Sequence, residues 1–188
     1  MRTEAPSCAW AEDVFRIVRQ QRIQQIATVP DAGLTALLRR CECADEINVV
    51  TLTTEEEGIA LACGAWMGGQ RAALFMQSSG VGNCVNMLAL PQVCHIPCLM
   101  LVTMRGEWRE FNPWQVPMGL GAPDVLQAMG VTLFRPEGPA DVGSAFERAA
   151  HLAFSEGAAA AVLVSQQIVG VKDFEKPAME KRHSDVGP

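Results

Sequence analysis

Between Ala72 and Met104 the chain carries no Asp, Glu, Lys or Arg. An uncharged stretch of that length belongs either in a bilayer or in the interior of a folded domain. Gln77, Ser78, Ser79, Asn83, Asn86, Pro91, Gln92 and Pro97 interrupt it. A lipid-facing helix offers such polar side chains and proline breaks no partner. The stretch therefore reads as a set of buried elements in an α/β core, one face of which a partner could cover. Within it, "RAALFMQ" and "IPCLMLVTM" are apolar runs of strand length, and "GVGNCVNMLALPQ" is a loop opening a helix.

The same alternation extends over most of the chain. "AEDVFRIVRQQR" places Val14, Ile17 and Val18 at helical spacing, and "IQQIATV" follows as a short strand ending at Pro30. "DAGLTALLRRC" opens on Asp31, a plausible N-cap, and presents Leu34, Leu37 and Leu38 on one face. "INVVTL" is continuous and β-branched, which predicts a strand buried on both sides. After the Pro-punctuated "RGEWREFNPWQVPMGLG" come a short helix near "DVLQAMG", a strand "VTLFR", a long helix "PADVGSAFERAAHLAFSEG" and a last strand "AAAVLVS". Strands separated by helices of this length predict an α/β domain with a mostly parallel central sheet and helices on both faces. The domain is expected over residues 1–171, with residues 172–188 as a polar C-terminal tail or an arm on a neighbour.

With 188 residues and only 19% of them charged, the chain can bury a substantial core. The net charge is −6 and the fifteen Lys and Arg form no stripe, which argues against a nucleic-acid surface. The opening "MRTEAPSCAW" lacks the basic start and apolar run of a secretory signal. Seven cysteines, several within apolar elements, fit reduced thiols, and a cytoplasmic location is expected.

One cluster breaks the apolar pattern. Glu55, Glu56 and Glu57 stand together at the mouth of the otherwise apolar helix "GIALACGAW". The structural explanation is sound: Thr54 and Glu57 form a T-x-x-E capping box, and acids in a first turn complement the helix dipole. It accounts for one or two carboxylates only. Glu55 lies four residues before Ile59, on the side that Ile59, Cys63 and Trp66 mark as buried, so Glu55 is the acid turned toward the strand ends, where parallel sheets bind ligands.

In Glu55 and Gly64, nine positions apart, and in Met76-Gln77-Ser78-Ser79-Gly80-Val81-Gly82-Asn83, the chain resembles the pyrimidine-binding domain of thiamine-diphosphate-dependent decarboxylases. The likeness is to the sulfopyruvate decarboxylase alpha subunits and their phosphonopyruvate decarboxylase relatives. Val29-Pro30-Asp31 resembles the family's G-V-P-D-S turn, with Thr28 and Ala32 departing from it; Arg105-Gly106 and Gln115-Val116-Pro117-Met118-Gly119 resemble two later motifs. The resemblance runs from about residue 10 to residue 170. It implies that Glu55 hydrogen-bonds the aminopyrimidine ring nitrogen, favouring the imino tautomer that removes the thiazolium C2 proton. It further implies that Gln77, Gly80, Gly82 and Asn83 line the cofactor. Asp31 would sit near the substrate and manage a proton, unless it is only an N-cap. Arg105 would face an acidic substrate, unless it makes a surface pair with Glu107 or Glu110.

The family's diphosphate motif, G-D-G followed by N-N, has no counterpart, since the chain contains neither a Gly-Asp nor an Asn-Asn dipeptide. The resemblance then implies a hetero-oligomer in which a separate beta subunit grips the diphosphate and its Mg²⁺. No metal site is expected in this chain, Cys94-His95-x-x-Cys98 supplying too few ligands for a closed zinc site. Trp108, Phe111 and Trp114 are either a lid or an interface patch. The expected activity is decarboxylation of a short 2-keto acid, sulfopyruvate before phosphonopyruvate, against the alternative of a non-catalytic binding module on the same fold.

Overall fold

Residues 9–170 are described in the structure, a computed structural model; the expected tail at 172–188 lies outside the described residues. The elements follow the expected alternation: α1 (Ala9–Gln20), β1 (Ile23–Thr28), α2 (Thr35–Glu42), β2 (Asn48–Thr51), α3 (Glu56–Met67), β3 (Arg71–Gln77), α4 (Val81–Cys84), α5 (Ala89–Cys94), β4 (Cys98–Thr103), α6 (Val116–Ala128), β5 (Thr132–Phe134), α7 (Val142–Glu156), β6 (Ala159–Val164) and α8 (Gln166–Val169). The six strands form one sheet in the order β2-β1-β3-β4-β6-β5, and every pairing is parallel.

Strand alternation divides the core into two layers. Phe75, Leu99, Leu101 and Val162 point to one face, against Trp10, Val14 and Ile17 of α1, Leu37 of α2 and Phe146 of α7. Leu74, Met76, Met100 and Leu163 point to the other, against Ile59 of α3, Val81 of α4, and Ala122 and Leu126 of α6. β4 and β6 are buried over their whole length, as their uninterrupted apolar sequences require. Burial of each large aliphatic side chain here contributes roughly 1.5–3 kcal/mol.

Three expectations need correction. β2 lies at a sheet edge with Asn48 and Thr51 exposed, so its β-branched run marks a strand without being covered on both sides. Trp66, expected on the buried side of α3, is 38% exposed and stacks on Phe154 at the far end of that helix. The short helix near "DVLQAMG" begins instead at Val116 and runs through Pro123. Pro117 occupies the first turn, where its missing N–H costs nothing. Gly119 carries the close approach that holds this helix, since a Cβ there would lie 1.9 Å from the carbonyl oxygen of Arg105.

The strand order reverses between β1 and β3: after β1 the chain moves outward to β2, then returns to the other side for β3 and β4. Loops at the carboxyl ends of strands diverge at such a point and leave a crevice. Register brings the ends into line, with Thr28 opposite Phe75 and Gln77 opposite Thr103. Whatever follows Thr28, Thr51, Gln77 and Thr103 therefore emerges along one rim.

Candidate active site

Two linked clusters occupy that rim. The first is built by the turns after β2 and β3. Glu55 immediately precedes α3 and is 8% exposed. Asn83 of α4 donates from Nδ2 to Glu55 Oε2 at 2.8 Å. Oε1 receives no hydrogen bond among the described residues, and it lies beside Gly80: a Cβ on that glycine would stand 2.3 Å from Glu55 Oε1 and Cδ. The Gly-rich turn thus leaves space for a carboxyl group. Gly82 is not crowded in the same way, its added Cβ meeting only the flexible Met118 Sδ at 3.2 Å.

The capping task falls to another acid of the triplet. Glu57 accepts from the Thr53 backbone N–H and the Thr53 hydroxyl, at 3.0 and 2.8 Å. Thr53 is therefore the main partner of Glu57, with the Thr54 N–H a lesser one, and Glu55 makes no side-chain cap. The hydroxyl of Thr53, followed by its N–H, holds the Glu57 carboxyl below the usual carboxylate range. Division of labour resolves the triplet: one acid caps, one is exposed, and Glu55 is left facing the crevice.

The second cluster spans β1, β3 and β4. Asp31 caps a short 3-10 turn, accepting from the Gly33 N–H. It also meets Arg105, whose Nη2 donates to Oδ1 and Oδ2 at 2.9 and 3.1 Å, and Thr103 donates from Oγ1 to Oδ2 at 3.0 Å. Both side chains of the ion pair are almost wholly buried. The expected surface pairing of Arg105 with Glu107 or Glu110 does not occur; Glu107 pairs with Arg135 and Glu110 accepts from Gln166. Register is the reason, because Arg105 follows the central strand β4 and projects across the switch point instead of outward. Breaking such a buried pair by removing one partner costs roughly 3–5 kcal/mol.

Gln77 joins the clusters. Its Oε1 accepts from Arg105 Nε at 3.1 Å and its Nε2 donates to Ser79 Oγ, one residue before Gly80. Sequence reasoning missed Ser78, Thr103 and Gln166. Ser78 Oγ accepts from the Arg105 N–H. Gln166, 2% exposed, accepts from the N–H groups of Glu107 and Trp108 and so ties down the loop after Arg105. A legible signal existed for Gln166 and Thr103: each is a polar residue at the carboxyl end of an apolar strand in the middle of the sheet.

The remaining motif residues lie apart. Cys98 is inside β4 while Cys94 is exposed, and no metal-binding group of three His, Cys, Asp or Glu occurs among the described residues. Cys84, behind Glu55, has its thiol pushed up to about 12 by burial and then by the charges of Glu55 and Glu56. It is a packing residue and no nucleophile. Phe111 and Trp114 are strongly exposed, whereas Trp108 is half-buried under Arg109. Among the described residues no helix is long and apolar enough to cross a membrane.

An acid at the head of α3, a Gly-rich turn pressed against it and a parallel sheet with its switch point between them are the features on which the chain resembles the thiamine enzymes. The sequence agrees: residues 9–113, more than half of the chain, match the N-terminal TPP-binding domain of thiamine pyrophosphate enzymes. The chain is 35% identical over 155 residues to sulfopyruvate decarboxylase subunit alpha of Methanothermobacter thermautotrophicus, covering 82% of this chain and 94% of that one. It is 30% identical to the same subunit of Methanococcus maripaludis, with coverages of 82% and 93%. The fold recurs in benzoylformate decarboxylase from Polynucleobacter necessarius, at TM-score 0.69 and 17% identity over 89% of this chain. It recurs also in 2-oxoglutarate:ferredoxin oxidoreductase from Magnetococcus marinus, at TM-score 0.69 and 18% identity over 85%. The chain spans about a third of the length of those two structures, 32% and 29%. It belongs to the thiamine pyrophosphate enzyme family through this domain and, within it, to the sulfopyruvate decarboxylase alpha subunits.

Proposed function

We propose that this chain is the alpha subunit of a two-chain, thiamine-diphosphate-dependent decarboxylase acting on 3-sulfopyruvate, with sulfoacetaldehyde and carbon dioxide as products. The observation that carries this reading is Glu55, a nearly buried carboxyl group with one oxygen engaged by Asn83 and the other packed on Gly80, where any side chain would displace it. The residues present fit the cofactor's aminopyrimidine end: a carboxyl oxygen at hand, a glycine where a side chain would intrude, and polar neighbours in Gln77 and Asn83. When bound, thiamine diphosphate supplies the electron sink for loss of carbon dioxide from a 2-oxo acid.

Glu55 would hold the pyrimidine ring nitrogen through Oε1, while Asn83 donates to Oε2 and fixes the orientation of the carboxyl plane. Gly80 leaves the Glu55 carboxyl the room it needs to stand beside the ring, and Gly82 would line the same turn. Asp31 and Arg105 stand at the substrate end of the same rim, linked to the cofactor end through Gln77. Phosphonopyruvate is the second substrate of the same chemistry; phosphonopyruvate decarboxylase of Streptomyces viridochromogenes is 36% identical over 86 residues, 45% of this chain.

The diphosphate and its Mg²⁺ are assigned to a separate beta subunit, because the relatives that this chain matches over nearly their whole length are named as alpha subunits. The alpha-subunit relatives and the exposed Phe111 and Trp114 beside the rim support that hetero-oligomer. Free cysteines at positions 41, 43, 63, 84, 94 and 98 fit a cytoplasmic enzyme. The test is to combine this chain with the beta subunit, thiamine diphosphate and Mg²⁺, and to measure carbon dioxide release from sulfopyruvate. Glu55→Gln is expected to lower kcat by roughly 10²–10⁴-fold. Near-normal turnover by that variant removes Glu55 from the mechanism, and turnover by no short 2-oxo acid favours a non-catalytic binding module.

A further inference from the structure

We propose that the amino-terminal end of the sheet, opposite the Glu55 rim, carries a further ligand site, a cradle for a phosphate monoester. The inference goes beyond the decarboxylase reading and does not rest on it. The turns that enter β1, β2 and β3 surround an open depression of about 680 Å³, within the range of small-molecule sites, roughly 300–1,000 Å³. Arg19, Arg22 and Arg71 line it against one carboxylate, Glu46. Positive charge is thus gathered in one concave place on a chain whose net charge is −6.

The three arginines are not equivalent. Arg19 stands in the last turn of α1, where a cation complements the helix dipole, and Glu46 neutralises it at 2.6 Å. Arg71 is half-buried and held in place. Its Nη1 donates to the Gln21 carbonyl at 2.9 Å and to Gln21 Oε1 at 3.3 Å, and its guanidinium carbon lies 4.7 Å from the centre of the Phe154 ring. Its Nε and Nη2 make no hydrogen bond among the described residues. Arg22 is exposed, and its side chain makes no hydrogen bond or ion pair among the described residues. One cation is therefore engaged by the fold, and two keep donors for an anion.

The backbone is irregular at the same place. Arg22 is left-handed, with φ 52°, a conformation uncommon outside glycine. Directly after it, between Ile23 and Gln25, two steps along β1 match one along β3, a bulge at Gln24. Bulges re-aim side chains, and both irregular residues line the depression.

The walls decide the class of ligand. Ile23 is the one hydrophobic side chain among the lining residues and is itself buried, so a nucleobase or an acyl chain finds no apolar wall. Gln20, Gln21 and Gln24 supply amide donors and acceptors for hydroxyl groups. Planar guanidinium groups match phosphate oxygens, and a phosphate monoester carries close to two negative charges at neutral pH. A sugar phosphate fits on charge, polarity and size, whereas free phosphate engages the arginines alone.

The test uses the full chain without thiamine diphosphate or a beta subunit, so its outcome is separate from that of the decarboxylase assay. Glucose 6-phosphate, inorganic phosphate and glucose are titrated by calorimetry at low and high salt. Glucose 6-phosphate is expected to bind, glucose is not, and added salt should weaken binding because it screens exposed charges. Arg71→Gln should weaken binding about tenfold or more. Arg22→Asn, at an exposed position, should weaken it about threefold or more. Asparagine tolerates the left-handed turn, and the change removes no contact of the fold, so this variant decides the matter if Arg71→Gln does not fold. Arg148→Gln removes the same charge from α7, beside Phe134, and should leave binding unchanged. Tighter binding of the ester than of inorganic phosphate shows the glutamines reading its hydroxyls; equal binding makes free phosphate the occupant of the same cradle. Failure of both phosphates to bind overturns the proposal, as does equal weakening by Arg148→Gln or an affinity for glucose equal to that for its phosphate. The arginines then only complement the end of α1 and the Glu46 charge.

Discussion

Substitution of Gly80 by alanine isolates Glu55 without touching it. The backbone at Gly80 is ordinary right-handed, φ −76° and ψ −17°, so alanine meets no conformational penalty there. Steric crowding is the whole effect. The new Cβ would lie 2.3 Å from Glu55 Cδ and Oε1 and 2.4 Å from Cγ. Carbon atoms sit about 3.5–4.0 Å apart at contact, so the carboxyl group must retreat by about 1–1.5 Å. That displacement breaks or stretches the 2.8 Å hydrogen bond from Asn83, and an error of about 1 Å in a catalytic group costs roughly 10²-fold in rate. Overpacking of this kind destabilises by about 1–3 kcal/mol, offset in part by roughly 0.4–1 kcal/mol from the less flexible unfolded chain. For a domain of this size the melting temperature should fall by only a few degrees, about 2–4 °C per kcal/mol. The assay pairs thermal melting of the chain with turnover in the assembled enzyme. Gly82→Ala is the comparison for stability alone, since its Cβ meets only the side chain of Met118. A Gly80→Ala enzyme within about twofold of wild type would refute the reasoning, because a carboxyl group can be moved that far without consequence only if it is not positioned for chemistry.

Two further outcomes follow from the titrating groups. Glu57 is held below the usual carboxylate range by Thr53, so its contribution to stability is present above the unfolded-state value of about 4.3 and is lost as pH falls through the lowered folded value. Thr53→Val should therefore lower the melting temperature at neutral pH and converge with wild type in strong acid; a constant difference across that range contradicts the assignment. Cys41 and Cys84 are buried with thiols pushed up to about 12, by burial first, and Cys98 is pushed up in the same direction, whereas Cys43 and Cys94 are exposed. Alkylation of the native chain near pH 8, read by peptide mass spectrometry, should modify Cys43 and Cys94 long before Cys41, Cys84 and Cys98. Rapid labelling of Cys84 would show that the layer behind Glu55 is open.

The layered α/β architecture was legible because burial has a period that sequence preserves. Runs such as "LMLV" in β4 and "AAAVLV" in β6 have no polar member and read as central strands, and both are. "INVVTL" misled for a related reason: β-branched residues favour a pleated strand wherever it lies, while exposure depends on position in the sheet, and β2 is at an edge. The helix from Val116 was hidden by Pro117, Gly119, Gly121 and Pro123, which lower local helix propensity; of these, Gly119 allows the close approach to the Arg105 carbonyl.

The sequence by itself determined the kind of elements, their alternation and the place of Glu55 at a helix entrance, because these depend on neighbours a few residues apart. Only the tertiary structure decided which distant residues meet: Gly80 against Glu55, and Arg105 bound to Asp31 across 74 positions. The physical reason is the sheet. Strand order and parallel register convert distant segments into neighbours at one rim, and no local periodicity encodes that order.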